Sequence, residues 1–106
     1  MPEKSNRPIM ALIELLSKKW VLRILWELRQ SPCTFRELQA RCGDISPTTI
    51  NKRVKDLHEA QLLDKSTERG YCLSEMGDEF IDLFAPIYQF SERWEKEKNC
   101  KNTKKK

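Results

Sequence analysis

Residues 34–57 read TFRELQARCGDISPTTINKRVKDL, a stretch that starts one helix, stops it, and starts another. Thr34 and Glu37 stand at the spacing at which each side chain satisfies the other residue's backbone N–H at a helix start. Leu38 and Cys42 fall on the inward side, and Gly43 supplies a residue for a left-handed end. Asp44 and Ile45 then make a tight link before Ser46, a capping residue, with Pro47 at the first helical position. Two helices joined by so few residues must cross steeply, which is the helix-turn-helix arrangement.

The second of these helices sorts its residues by face. Ile50, Val54 and Leu57 form an apolar stripe, and at about 100° per residue Thr48 and Lys52 lie nearly opposite it, with Asn51 and Lys55 beside them. Hydroxyl, amide and ammonium groups on the first turns of an exposed helix suit the edges of base pairs in a major groove. The unpaired N–H groups of Ser46 to Thr49, Pro47 excepted, suit a phosphate. Arg36 and Arg69 are placed to add phosphate contacts. Arg53 lies nearer the buried side, where an ion pair is the favoured reading. Any solvated amphipathic helix would show a similar outer face, so periodicity alone weighs DNA about evenly against plain solvent.

Outward from this unit, Pro8 opens a helix with Ile9, Leu12, Ile13 and Leu16 on one face, and residues 19–30 repeat the pattern until Ser31 and Pro32 end it. After Gln61, LLDKS and YCLS flank a turn in which Gly70 takes positive φ, a small β-hairpin. Ser74 caps the last helix. There Phe80, Ile81, Leu83, Phe84, Ile87, Tyr88 and Trp94 cover more than one stripe, and Pro86 is expected to kink or split it.

Bulk properties narrow the function. At 106 residues, with 39% hydrophobic and 34% charged side chains, the chain is long enough for one globular domain. No segment reaches the roughly 20 apolar residues that span a bilayer, and the N-terminus lacks a signal-peptide layout, so no membrane partner and a cytoplasmic location are expected. Cys33, Cys42, Cys72 and Cys100 form no C-x-x-C pair and His58 is the one histidine, a poor metal set. The first three thiols are expected to be free and mostly buried. With no phosphate-binding glycine loop, no paired carboxylates in a cleft pattern and no Cys-His arrangement, no enzyme and no cofactor are expected. From Arg93 onward seven Lys or Arg face Glu95 and Glu97, a net of +5, and the rest of the chain sums to −1. Residues 99–106 are expected to be a disordered basic tail.

The order helix, helix, helix-turn-helix, hairpin, helix describes a mostly α fold with a small β-hairpin, the winged helix-turn-helix. LLSKKW (15–20), ILWEL (24–28), TFREL (34–38), INKRVKDL (50–57) and YCLSEMG (71–77) resemble the HxlR-type bacterial transcriptional regulators over about residues 9–96. The resemblance implies that residues 1–98 are a DNA-binding and dimerisation domain and that the chain binds a near-palindromic operator as a homodimer. It implies that the helix from Pro47 enters the major groove, that the hairpin is the wing, and that repression is the outcome. It also implies a dimer built from the first and last helices, with Ile9, Leu12, Ile13, Phe84, Ile87, Tyr88 and Trp94 as its residues; the broad apolar coverage of residues 80–94 agrees. The chain departs from the family at Ser17 and Gln61, where glycine is usual, at a shortened wing tip, and at Asn6, where some members carry a sensing cysteine. An N-terminal thiol switch is therefore not expected.

The partners expected are double-stranded DNA and a second copy of the chain, with room for a small-molecule effector that no residue identifies. The alternative from another class is a winged-helix module that binds a protein without reading DNA sequence. Such a module calls for an apolar or acidic outer face on the helix from Pro47, and the face from Thr48 to Lys55 is polar and basic.

Overall fold

The computed structural model describes residues 7–105 except Thr67 and Arg69, and for residues 101–105 the backbone alone. Among these residues the elements are α1 (Pro8–Leu16), α2 (Val21–Leu28), α3 (Phe35–Arg41), α4 (Pro47–Glu59), β1 (Leu63–Ser66), β2 (Gly70–Leu73), α5 (Glu75–Asp82) and α6 (Phe84–Lys105). This is the winged helix-turn-helix that the sequence predicts.

The core is made where the apolar stripes of α2 and α4 meet Cys33, Leu38, Cys42, Ile45, Leu62 and Leu63. Val21, Ile24, Leu25, Ile50 and Leu57 are fully buried, each burial contributing roughly 1.5–3 kcal/mol. Leu15, Leu16, Trp20, Phe35, Tyr71, Leu73, Phe80 and Ile81 are partly buried and pack against it. Burial pushes the Cys33 and Cys42 thiols above their ordinary range, with Arg41 opposing the shift at the first and Arg23 at the second. Cys72 is only half-buried and Cys100 is exposed, so the expectation of three buried thiols holds for two.

The wing pairs β1 with β2 antiparallel, Leu63 opposite Leu73 and Ser66 opposite Gly70. Near its turn the hairpin is pinned to the segment that leads into α3. The Cys33 N–H donates to the Tyr71 carbonyl at 2.9 Å, and the Tyr71 N–H donates back at 2.8 Å. Gly70 has φ +84, and a Cβ there would collide with the Cys33 carbonyl oxygen, so this position needs glycine on both counts.

Two local features differ from what the sequence predicts, and a third, the split of the last helix near Pro86, agrees with it. Helix α2 begins at Val21, because Trp20 sits in the left-handed region at φ 80 although its spacing to Ile24 and Leu28 looked helical. The last helix is divided at Leu83, so that Pro86 falls in the first turn of α6, where its missing N–H costs no hydrogen bond. Helix α6 also continues through Lys105, so residues 99–105, expected as a disordered tail, are helical. Glu and Lys are good helix formers, and Glu92 precedes Lys96 by the favourable four-residue step.

The two glycine departures have different consequences. Ser17 is right-handed, φ −76, so nothing is lost there. Gln61 has φ 65 and ends α4: its N–H donates to the His58 carbonyl at 3.0 Å, and the Leu62 N–H donates to Leu57 at 3.0 Å, a Schellman closure that favours glycine. Gln61→Gly is therefore expected to raise stability by about 1 kcal/mol in chemical denaturation, the left-handed penalty being larger than the entropy glycine adds to the unfolded chain.

Candidate nucleic-acid interface

The local chemistry of residues 34–57 fixes how α3 and α4 meet. The Thr34 N–H donates to Glu37 Oε1 at 2.9 Å and the Glu37 N–H donates to Thr34 Oγ1 at 3.2 Å, so the predicted capping box is formed. At the other end of α3, the Gly43 N–H donates to Ala40 and the Asp44 N–H to Gln39, with Gly43 at φ 84 and Asp44 at φ 61. Two successive left-handed residues turn the chain sharply; aspartate is among the few side chains that tolerate this region. Gln39 Nε2 then donates to the Ile45 carbonyl at 2.9 Å, bracing the turn, while the Ile45 side chain is buried.

Ser46 starts α4 as expected. Its Oγ accepts from the Thr49 N–H at 3.2 Å and donates to Thr49 Oγ1 at 2.9 Å. These two hydroxyls thus spend part of their capacity on each other, and Thr49 is half-buried. Pro47, Thr48, Asn51, Lys52 and Lys55 are exposed, opposite the buried Ile50, Val54 and Leu57. Among the described residues the side chains of Thr48, Asn51, Lys52 and Lys55 make no hydrogen bond or ion pair, and neither does that of Arg36, exposed on α3. Their donors are available to a ligand. Arg69 lies outside the described residues.

Arg53, which the sequence reading assigns to an ion pair, has one: its Nη1 lies 3.0 Å from Asp56 Oδ2. Its Nε donates to the Lys19 carbonyl at 2.9 Å. His58 is exposed near the far end of α4.

The residues expected at a dimer contact fall into two groups. Phe84 and Tyr88 pack within the chain, with ring centroids 6.3 and 5.8 Å from that of Trp26, while Tyr88 stays about half exposed, and the Arg29 guanidinium lies over the Trp26 ring at 3.9 Å from its centroid. Ile9, Ile13, Ile87 and Trp94 are about half exposed, and Leu12 is half-buried. Sequence reasoning missed Leu83 and Phe90, which are 66% and 51% exposed. Phe90 stands with Ile87 and Trp94 at steps of three and four residues along α6, the spacing of a helix that packs on another helix, and Leu83 lies four residues before Ile87 at the break between α5 and α6. That spacing was readable in the sequence.

The profile of the HxlR-like helix-turn-helix family matches residues 15–99. The chain belongs to that family. As an HxlR-like protein it is a DNA-binding transcriptional regulator. Its fold is similar to that of quinone-bound YodB from B. subtilis, at 24% identity and a TM-score of 0.73, covering 82% of this chain and 98% of that one. It is similar also to a protein described as a possible HxlR family transcriptional factor from Thermoplasma volcanium GSS1, at 24% identity and a TM-score of 0.72, covering 85% and 86%. No curated protein sequence matches the chain. Among the described residues of this HxlR-like chain, no helix is long and apolar enough to cross a membrane, and no cluster of His, Cys, Asp or Glu is placed to hold a metal ion.

Proposed function

We propose that this HxlR-like regulator acts in the cytoplasm as a homodimer on a near-palindromic operator, that α4 reads bases in the major groove while the wing lies along the backbone, and that the bound dimer represses transcription. The observation that carries the reading is the outer face of α4: four exposed polar side chains without partners among the described residues, on a helix whose opposite side is sunk in the core. Asn51 has the donor and acceptor for adenine, Lys52 the donor for guanine, and the Thr48 methyl suits thymine. Ser46, Pro47 and Thr49 contribute the helix start, where N–H groups and the helix dipole favour a phosphate. Arg36 and Arg69 add phosphate contacts that position without specifying.

The homodimer is supported by the seam Ile87, Phe90 and Trp94 on α6, with Leu83 at the break before it, and by Ile9 and Ile13 on α1. A row of large apolar side chains left half exposed along one helix marks an association surface, and a two-fold contact presents the same row from both copies. A dimer of this kind holds two copies of α4 at a fixed spacing, which is what makes a near-palindromic site the matching DNA.

Two experiments test these claims. On the duplex that the protein selects from a random pool, Asn51→Ala and Lys52→Ala are each expected to weaken binding by about 1–3 kcal/mol and to leave binding to random duplex nearly unchanged. Variants that bind every duplex as the parent does would mean that the face is solvated only, and the protein-interaction module would take its place. In sedimentation at micromolar concentration the parent is expected to be a dimer and the double variant Ile87→Glu with Phe90→Glu a folded monomer, since two carboxylates per chain cannot be buried unpaired in the seam. A double variant that remains dimeric would remove α6 from the interface.

A further inference from the structure

We infer that Arg53 is a positioning residue for base recognition: it fixes the placement of α4 by clamping the helix to the turn between α1 and α2. The inference rests on the proposal that α4 reads bases.

Arg53 follows Lys52 directly and carries a cation suited to phosphate, yet it points its donors inward. Nε donates to the Lys19 carbonyl at 2.9 Å, across a separation of 34 residues, and Nη1 reaches Asp56 Oδ2 at 3.0 Å, with both side chains about one-fifth exposed. The same Asp56 oxygen takes Lys18 Nζ at 3.5 Å. One guanidinium and one carboxylate therefore join α4 to two consecutive residues of the α1–α2 turn. The turn is itself tightly defined, since the Val21 N–H donates to the Lys18 carbonyl at 3.2 Å and Trp20, the next residue after Lys19, is left-handed.

The clamp does something the apolar stripe does not. Hydrophobic burial is non-directional: it chooses which face of α4 goes inward but tolerates small slides and tilts of the helix. Hydrogen bonds to base edges are directional and fail when donor and acceptor are displaced by a fraction of an ångström to an ångström. The planar fork of arginine spans two acceptors at fixed angles, which the single ammonium of lysine does not. Attraction to phosphates depends on total charge over longer range, so a slightly displaced helix keeps it. Loss of the clamp is thus expected to cost sequence discrimination and to spare general affinity.

The test measures binding of the full chain to the duplex selected by the parent and to a random duplex, over a range of salt, with thermal unfolding recorded for each variant. Arg53→Gln and Arg53→Lys are both expected to lose about tenfold on the selected duplex, the worth of one base contact, with random-duplex affinity within about twofold of the parent and the salt slope unchanged. Asp56→Asn, which leaves the Nε bond to Lys19 in place, is expected to lose less in the same direction. It remains informative should Arg53→Gln not fold. A parallel fall on both duplexes with a shallower salt slope would make Arg53 a phosphate contact. A fall on both in proportion to lost thermal stability would make it merely structural, and full rescue by Arg53→Lys would mean that charge alone suffices; each overturns the inference. Asn51→Ala on the same duplex separates the two levels. If Asn51→Ala loses affinity and Arg53→Gln does not, the clamp fails alone, whereas if neither loses affinity, base reading by α4 fails with it.

Discussion

Ile50, Val54 and Leu57 sink into the core and thereby decide which way the rest of α4 faces. Rotating the helix by half a turn would expose three large apolar side chains, at roughly 1.5–3 kcal/mol each, and would drive Lys52 and Lys55 into an apolar interior without partners. The helix therefore has one stable rotation, with Thr48, Asn51, Lys52 and Lys55 outward. The helix ends set its start and stop: Ser46 caps one end, and the Schellman closure through Gln61 ends the other. Placement of the wing follows, because β1 starts four residues after α4 ends and its partner β2 is tied to Cys33 in the segment that leads into α3.

Much of this was legible in the residues because it is local. A capping box, a Ser-Pro helix start, an apolar stripe at helical spacing and a glycine at the hairpin turn each act within a few residues, and each is found where the sequence puts it. What was not legible depends on distant parts of the chain. Trp20 keeps helical spacing but leaves the helix, because the chain reverses between α1 and α2 and packs its ring against a core assembled from other elements. The ion pair of Arg53 follows from spacing to Asp56, whereas its bond to Lys19 ends on a backbone carbonyl, which no residue type announces. The basic segment after Asn99 has the composition of a tail, and the helix runs on through it because lysine favours helix and the preceding turns have already nucleated it.

Helix α6 reconciles an apolar content too large for one contact. Phe84 and Tyr88 turn toward Trp26 and bind the helix to its own domain, leaving Ile87, Phe90 and Trp94 along another line, with Leu83 at the break before it. The residues expected at the dimer contact come from both lines, since both are apolar and only packing distinguishes them. The division also separates two consequences of mutation: changes on the Trp26 side act on the fold of one chain, and changes on the seam act on the proposed association.

The proposed reading of bases depends on the outer face of α4 meeting them. An amide-resolved titration of the labelled full chain with the duplex it selects measures this directly, because the perturbed resonances map the surface that meets DNA. The largest changes are expected on residues 46–55, with smaller ones at Arg36 and the wing, and a random duplex of equal length is expected to perturb the side-chain amide of Asn51 much less than the selected one does. Changes confined to α6 and the basic end of the chain, with residues 46–55 unmoved by either duplex, would contradict the proposed reading.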